Sequence, residues 1–74
     1  MFIEVGSQIK DLRKQKGVTQ EALALDSETS VSYLRQIEHG KANPTIQKLQ
    51  ELCVVLGMEL QIHFVPSQGE EENG

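Results

Sequence analysis

The 74-residue sequence predicts a small, mostly α-helical domain, four helices followed by one C-terminal β-strand. Three observations carry this. Apolar residues recur three or four positions apart in four successive stretches between residues 7 and 56, the spacing of helix faces. Ser7, Thr19, Ser30 and Thr45 precede those stretches, and Gly17, Gly40 and Gly57 close three of them, the residue types that start and stop helices. After Gly57 the spacing becomes strict alternation, with Met58, Leu60, Ile62 and Phe64 on one side and Glu59, Gln61 and His63 on the other. That is the period of a half-buried strand.

Each element follows from its residues. The first helix is expected over about 7–16, with Ser7 as N-cap, Ile9 and Leu12 on one face, and Gly17 in the left-handed position past its end. Thr19 caps a second helix reaching about residue 26, with Glu21 in its first turn and Ala22, Leu23 and Ala24 turned inward. A third begins after Ser30, buries Leu34 and Ile37, and stops at Gly40. "KANP" reads as a turn, because the residue before Pro44 is pushed out of helical conformation. Thr45 caps a fourth helix, with Ile46, Leu49, Leu52, Cys53 and Leu56 as a broad apolar stripe. Pro66 closes the strand, and the polar, Glu-rich residues 67–74 are expected to be disordered. This divides the chain into a helical body (1–57), a strand (58–66) and an acidic tail (67–74).

Composition narrows the function classes. Cys53 is the one cysteine, so an internal disulfide and a cysteine-based metal framework are both excluded. A single thiol in an apolar stripe reads as a small buried side chain and fits a reducing, cytoplasmic setting. The amino end lacks the basic region of a signal peptide, and no apolar run reaches membrane-spanning length. The formal charge of −4 argues against a general polyanion binder. Of the 11 acids, however, Glu4, Glu70, Glu71 and Glu72 lie near the ends, and the remainder equal the 7 bases in number. The body is therefore about neutral. No nucleophile–base pair or Gly-rich phosphate loop is present, and His63 has no companion ligands nearby. The expectation is a protein that is not an enzyme, with no cofactor and no metal.

Two helices of about two turns each, joined by residues 27–29, form a helix-turn-helix pattern, whose second helix can enter the DNA major groove. The quoted residues make the pattern specific. "IKDLRKQKGVTQEALA" and "SVSYLRQIEHGKANPT" resemble the Cro/C1-type, or XRE, helix-turn-helix family, with its Arg on helix one, its Thr-Gln-Glu opening and its Ile-Glu-x-Gly close. The resemblance implies a lambda repressor-like fold and double-stranded DNA as partner. One departure stands out: Glu28 occupies the turn position where the family usually has Gly. A non-Gly residue with positive φ there costs roughly 1 kcal/mol or more.

By that resemblance Gln20 hydrogen-bonds a phosphate and braces the recognition helix. Ser30, Val31, Ser32 and Gln36 form its exposed face, flanked by Tyr33 and Arg35. Gln36 suits the paired contact to adenine, Val31 a thymine methyl, and Ser32 either base type. Lys41, Asn43 and protonated His39 are expected at phosphates. Blander readings stand beside these. Arg35 could pair with an acid such as Glu28, Tyr33 could pack at the helix edge, His39 could serve the helix dipole, and Ser32 and Gln36 could be solvated. Lys10, Lys14 and Lys16 read as a solvated face. Arg13 and Glu38 match the family's partly buried ion pair and are read as structural.

The alternating segment is a second departure, since many members of the family have a fifth helix there. A lone strand needs a partner for its backbone, either the amino-terminal "MFIEV" or the same strand of a second chain. A small domain buries only roughly 60% of its unfolded surface, so self-association would help stabilise it. A twofold dimer joined through Met58, Leu60, Ile62 and Phe64 would place two recognition helices on one palindrome. The architecture resembles the HipB-like antitoxins, which implies a toxin protein as an alternative partner.

Overall fold

The computed structural model describes residues 2–67, with side chains from Val5 onward. It contains α1 (Phe2–Gln15), α2 (Gln20–Asp26), α3 (Val31–Glu38) and α4 (Ile46–Val55). Three of the expected caps are present. Thr19 Oγ1 accepts from the N–H of Ala22, Ser30 Oγ from that of Tyr33, and Thr45 Oγ1 from that of Lys48, each at 3.0 Å.

Ser7 is a correction: it lies inside α1, which begins five residues earlier at Phe2. The helix runs through Gly6, a residue that costs roughly 1 kcal/mol in a helix interior. Its position explains why it is there. Gly6 is buried where α1 crosses the end of α3, and a Cβ built on it would run into the carbonyl oxygen of Ile37 and lie 3.2 Å from the carbonyl carbon of Glu38. Absence of a side chain lets the two backbones touch.

All four helices end in one hydrogen-bond pattern, the Schellman motif. The pairs are Gly17 N–H to Lys14 O and Val18 N–H to Arg13 O, then Glu28 to Leu25 and Thr29 to Ala24, then Gly40 to Ile37 and Lys41 to Gln36, and finally Gly57 to Val54 and Met58 to Cys53. The motif requires a left-handed residue. Three glycines supply it at φ 69°, 74° and 70°, and Glu28 supplies the fourth at φ 56°. The turn between α2 and α3 therefore keeps its path despite the missing glycine and carries the strain of a side chain there.

The core consists of Ile9, Leu23, Ala24, Leu34, Ile37, Leu52, Cys53 and Leu56. Ala22, expected inside, is exposed, because the short α2 turns inward only the face of Leu23, Ala24 and Ser27. The stripe on α4 is also narrower than expected: Ile46 is exposed and Leu49 half-buried. Burial of Cys53 pushes its thiol pKa up.

The expected strand is the larger correction. Residues 58–67 join no β-ladder among the described residues, and the in-chain candidate for a partner is spent, because residues 2–5 belong to α1. Helical backbone bonds to itself and has no edge to offer. Leu60 still packs on the core, while Met58 and Ile62 are exposed and Phe64 is 96% exposed. Alternation along 58–64 therefore does not bury one face within a single chain. The expected tail lies outside the described residues except for Ser67. Among the described residues, no helix is long and apolar enough to cross a membrane.

Candidate nucleic-acid interface

Polar contacts secure α3 at both ends. At its C-terminal end the Arg13 guanidinium embraces Glu38: Nε donates to Oε2 at 2.7 Å and Nη2 to Oε1 at 3.1 Å. Arg13 Nη1 donates to the carbonyl of Val18 at 3.0 Å. Both side chains are nearly closed to solvent, at 10% and 1% exposed. Burial alone would raise the pKa of Glu38. Hydrogen bonds from Arg13 and Gln20, with the charges of Arg13 and Lys10, outweigh it and hold the carboxyl below its ordinary value.

Gln20, the first residue of α2, extends this cluster to the surface. Its Nε2 donates to Glu38 Oε1 at 3.0 Å, and its Oε1 accepts from Arg35 Nε at 3.2 Å. A carboxylate only accepts, so Glu38 dictates which way the amide faces. The amide oxygen is left pointing at Arg35. Arg35 thus meets Gln20 rather than Glu28, and its two Nη groups remain for another acceptor.

At the other end of α3, Lys48 of α4 reaches across to the strained turn. Its Nζ donates to Thr29 Oγ1 at 2.9 Å and to the carbonyl of Ser27 at 3.2 Å, and it pairs with Glu51 at 2.8 Å. The buried Ser27 hydroxyl donates to the carbonyl of Leu23 at 2.7 Å. These contacts bracket Glu28. Neither Lys48 nor Gly6 was singled out from the sequence. Gly6 left a signal, a glycine within helical spacing, whereas Lys48 left none.

Between these anchors, α3 presents Ser32, Arg35 and Gln36 to solvent, with Ser30 exposed at its start and His39, Lys41 and Asn43 exposed beyond its end. Val31 and Tyr33 are half-buried and lean on the core. Ser30 caps the helix with its oxygen, so its O–H can still donate. His39 is the C-cap, its backbone N–H bonded to the carbonyl of Arg35, while the N–H of Gly40 takes the carbonyl of Ile37. The face therefore gathers an amide, hydroxyls and one fixed cation on a rigid rod.

Comparison with known proteins agrees with this geometry. Residues 9–62 match the helix-turn-helix family model. The chain is 44% identical over 54 residues to the HTH-type transcriptional regulator y4dJ of Sinorhizobium fredii, covering 73% of this chain and 70% of that protein. It is 38% identical to the immunity repressor protein of Bacillus phage phi105, covering 76% of this chain and 39% of the repressor. Against SinR of Bacillus licheniformis the identity is 34%, over 90% of this chain and 60% of SinR. The chain thus spans only part of several of the proteins it resembles. Two solved structures share the fold. The clp gene regulator ClgR of Corynebacterium glutamicum superposes with TM-score 0.78 at 30% identity, over 80% of this chain and 76% of ClgR. The restriction-modification controller protein C.AhdI of Aeromonas hydrophila superposes with TM-score 0.76 at 31% identity, over 78% of this chain and 88% of that one. The chain belongs to the Cro/C1-type helix-turn-helix family of DNA-binding transcription regulators.

Proposed function

We propose that the protein is a sequence-specific transcriptional repressor that binds a palindromic operator as a homodimer. The observation that carries this is the uncovered polar face of α3, Ser32, Arg35 and Gln36, on a helix held at both ends. Each side chain has a matching chemistry. Gln36 pairs with adenine N6 and N7, Val31 meets a thymine methyl with its open side, and Ser32 serves either base. Arg35, its Nε engaged by Gln20, offers an Nη fork suited to guanine O6 and N7 or to a phosphate. Gln20, Lys41, Asn43 and His39 set the register on phosphates, and Ser30 and Tyr33 border the face.

Dimerisation is supported by the exposed apolar side chains of Met58, Ile62 and Phe64, which have no strand partner among the described residues. Two moderate half-site contacts then combine into one useful affinity. Few neutralising charges give a shallow salt dependence, which limits off-site binding. Selection from a randomised DNA pool, followed by gel shift, tests the reading. The expected product is an inverted repeat with half-sites about one turn apart. Gln36→Ala and Ser32→Ala should each relax preference at one position per half-site, by roughly 1–3 kcal/mol for a paired contact. Unchanged preference in both variants would remove α3 from base reading.

A further inference from the structure

The turn that feeds α3 is gripped from a third helix. Lys48 stands in the first turn of α4, which Leu52 and Cys53 fix to the core. An ammonium has three hydrogens to donate, and each finds an acceptor: Glu51 Oε1 at 2.8 Å, Thr29 Oγ1 at 2.9 Å and the Ser27 carbonyl at 3.2 Å. Thr29 Oγ1 in turn donates to that same carbonyl at 3.2 Å, so Lys48, Thr29 and Ser27 close a ring. Ser27 and Thr29 flank Glu28, the residue held at φ 56°, and Glu28 itself supplies no acceptor to the ring. With its hydrogens engaged, Lys48 is a cation close to the recognition helix that has none left for a phosphate.

We propose that Lys48 is a positioning residue for base reading: its clip on Ser27 and Thr29 holds the Glu28 turn and so sets where the first turn of α3 meets a base pair. This rests on the DNA-reading proposal above and names a residue that reading depends on without DNA contact. A side chain in the left-handed region persists only where its surroundings over-determine it, and Lys48 supplies that constraint. Without the clip the turn relaxes and the start of α3 swings, while Arg13 and Glu38 still pin its far end. Ser30, Val31 and Ser32, which follow the turn directly, then shift most. Gln36, two residues from Glu38, shifts least. Glycine adopts the same φ without strain and needs no clip. Positions 28 and 48 are therefore coupled, and Lys48 matters to reading only while a side chain occupies the turn.

The test uses the full chain on the operator recovered from the randomised pool, at a temperature where circular dichroism shows each variant folded. Lys48→Met should weaken operator binding about fivefold, a size expected for coupled neighbours. The loss should fall on discrimination at the base pair that Ser32→Ala relaxes, with discrimination at the Gln36→Ala position kept. Thr29→Val, which removes the hydroxyl and keeps the shape, should reproduce that pattern. In a Glu28→Gly background, Lys48→Met should change affinity and preference by less than about twofold. The salt dependence of binding should match that of the unmodified protein. Unchanged binding by Lys48→Met, a uniform loss with preference intact, or a defect that persists in the Glu28→Gly background would overturn the proposal. A salt slope shallower by about 1 would make Lys48 a phosphate contact and overturn it as well. Each of these leaves the DNA reading standing, whereas a pool that yields no preferred sequence for the unmodified protein overturns both.

Discussion

The two anchors of α3 use the same groups, a cation, an acid and hydrogen-bonding side chains, yet they differ in how far water reaches them. At the C-terminal end the Arg13–Glu38 pair is sealed, and Gln20 completes it. At the N-terminal end Lys48 keeps 20% of its side-chain surface and Glu51 keeps 42%, so solvent can replace either partner. Burial turns one cluster into an all-or-none unit whose members depend on each other. The open cluster adjusts a turn without governing the fold. The sealed end also sits against Gly6, where backbone meets backbone.

Breaking the sealed pair should have the largest effect. Glu38→Ala leaves a buried guanidinium without its anion and should cost roughly 3–5 kcal/mol, read from urea unfolding. Acid should do the same to the native protein. Because the folded pKa of Glu38 is depressed, its contribution is complete above the ordinary carboxylate value near ~4.3 and fades as pH falls through the lower folded value. A pH series of melting temperatures should show this acid limb, and Glu38→Gln should lack that component. Next comes Gly6→Ala, which drives a methyl into the Ile37 carbonyl and separates α1 from α3. The expected loss is about 1–3 kcal/mol by thermal melting.

The open end should respond less. Lys48→Met removes two hydrogen bonds to the turn and a partly exposed ion pair, for an expected loss of about 0.5–1.5 kcal/mol. Glu28→Gly should change stability in the opposite direction. Relief of the left-handed strain favours the variant by roughly 1 kcal/mol, less what glycine gains in the unfolded chain. Equal losses for Lys48→Met and Glu38→Ala would erase the distinction between the two ends.

Local chemistry was readable wherever partners lie within a turn of one another. Thr19, Ser30 and Thr45 cap, and Gly17, Gly40 and Gly57 stop, because each bonds residues three or four positions away. Glu28 was conspicuous through the family resemblance, which expects glycine at that turn, and its φ of 56° shows the turn kept its path. Ser7 has the chemistry of a cap, but Gly6 lets α1 run on across α3, a contact that local spacing does not carry. Of the interface, the exposed residues of α3 could be named in advance. Gln20 bridging Glu38 to Arg35 joins residues 15 and 18 positions apart, and its geometry required the packed helices.

Taken alone, the sequence determined where α2, α3 and α4 begin, where the helices end, which residues turn inward on α3, and which side of α3 stays polar. Those outcomes depend on torsional preference and hydrophobic spacing, both short-range. Tertiary packing decided that Gly6 is a contact point, that Lys48 braces the turn, and that residues 58–67 gain no strand partner among the described residues. Each of these requires two segments distant in sequence to meet, or to be kept from meeting. Alternation tells which side chains share a side; only packing shows whether anything lies opposite them.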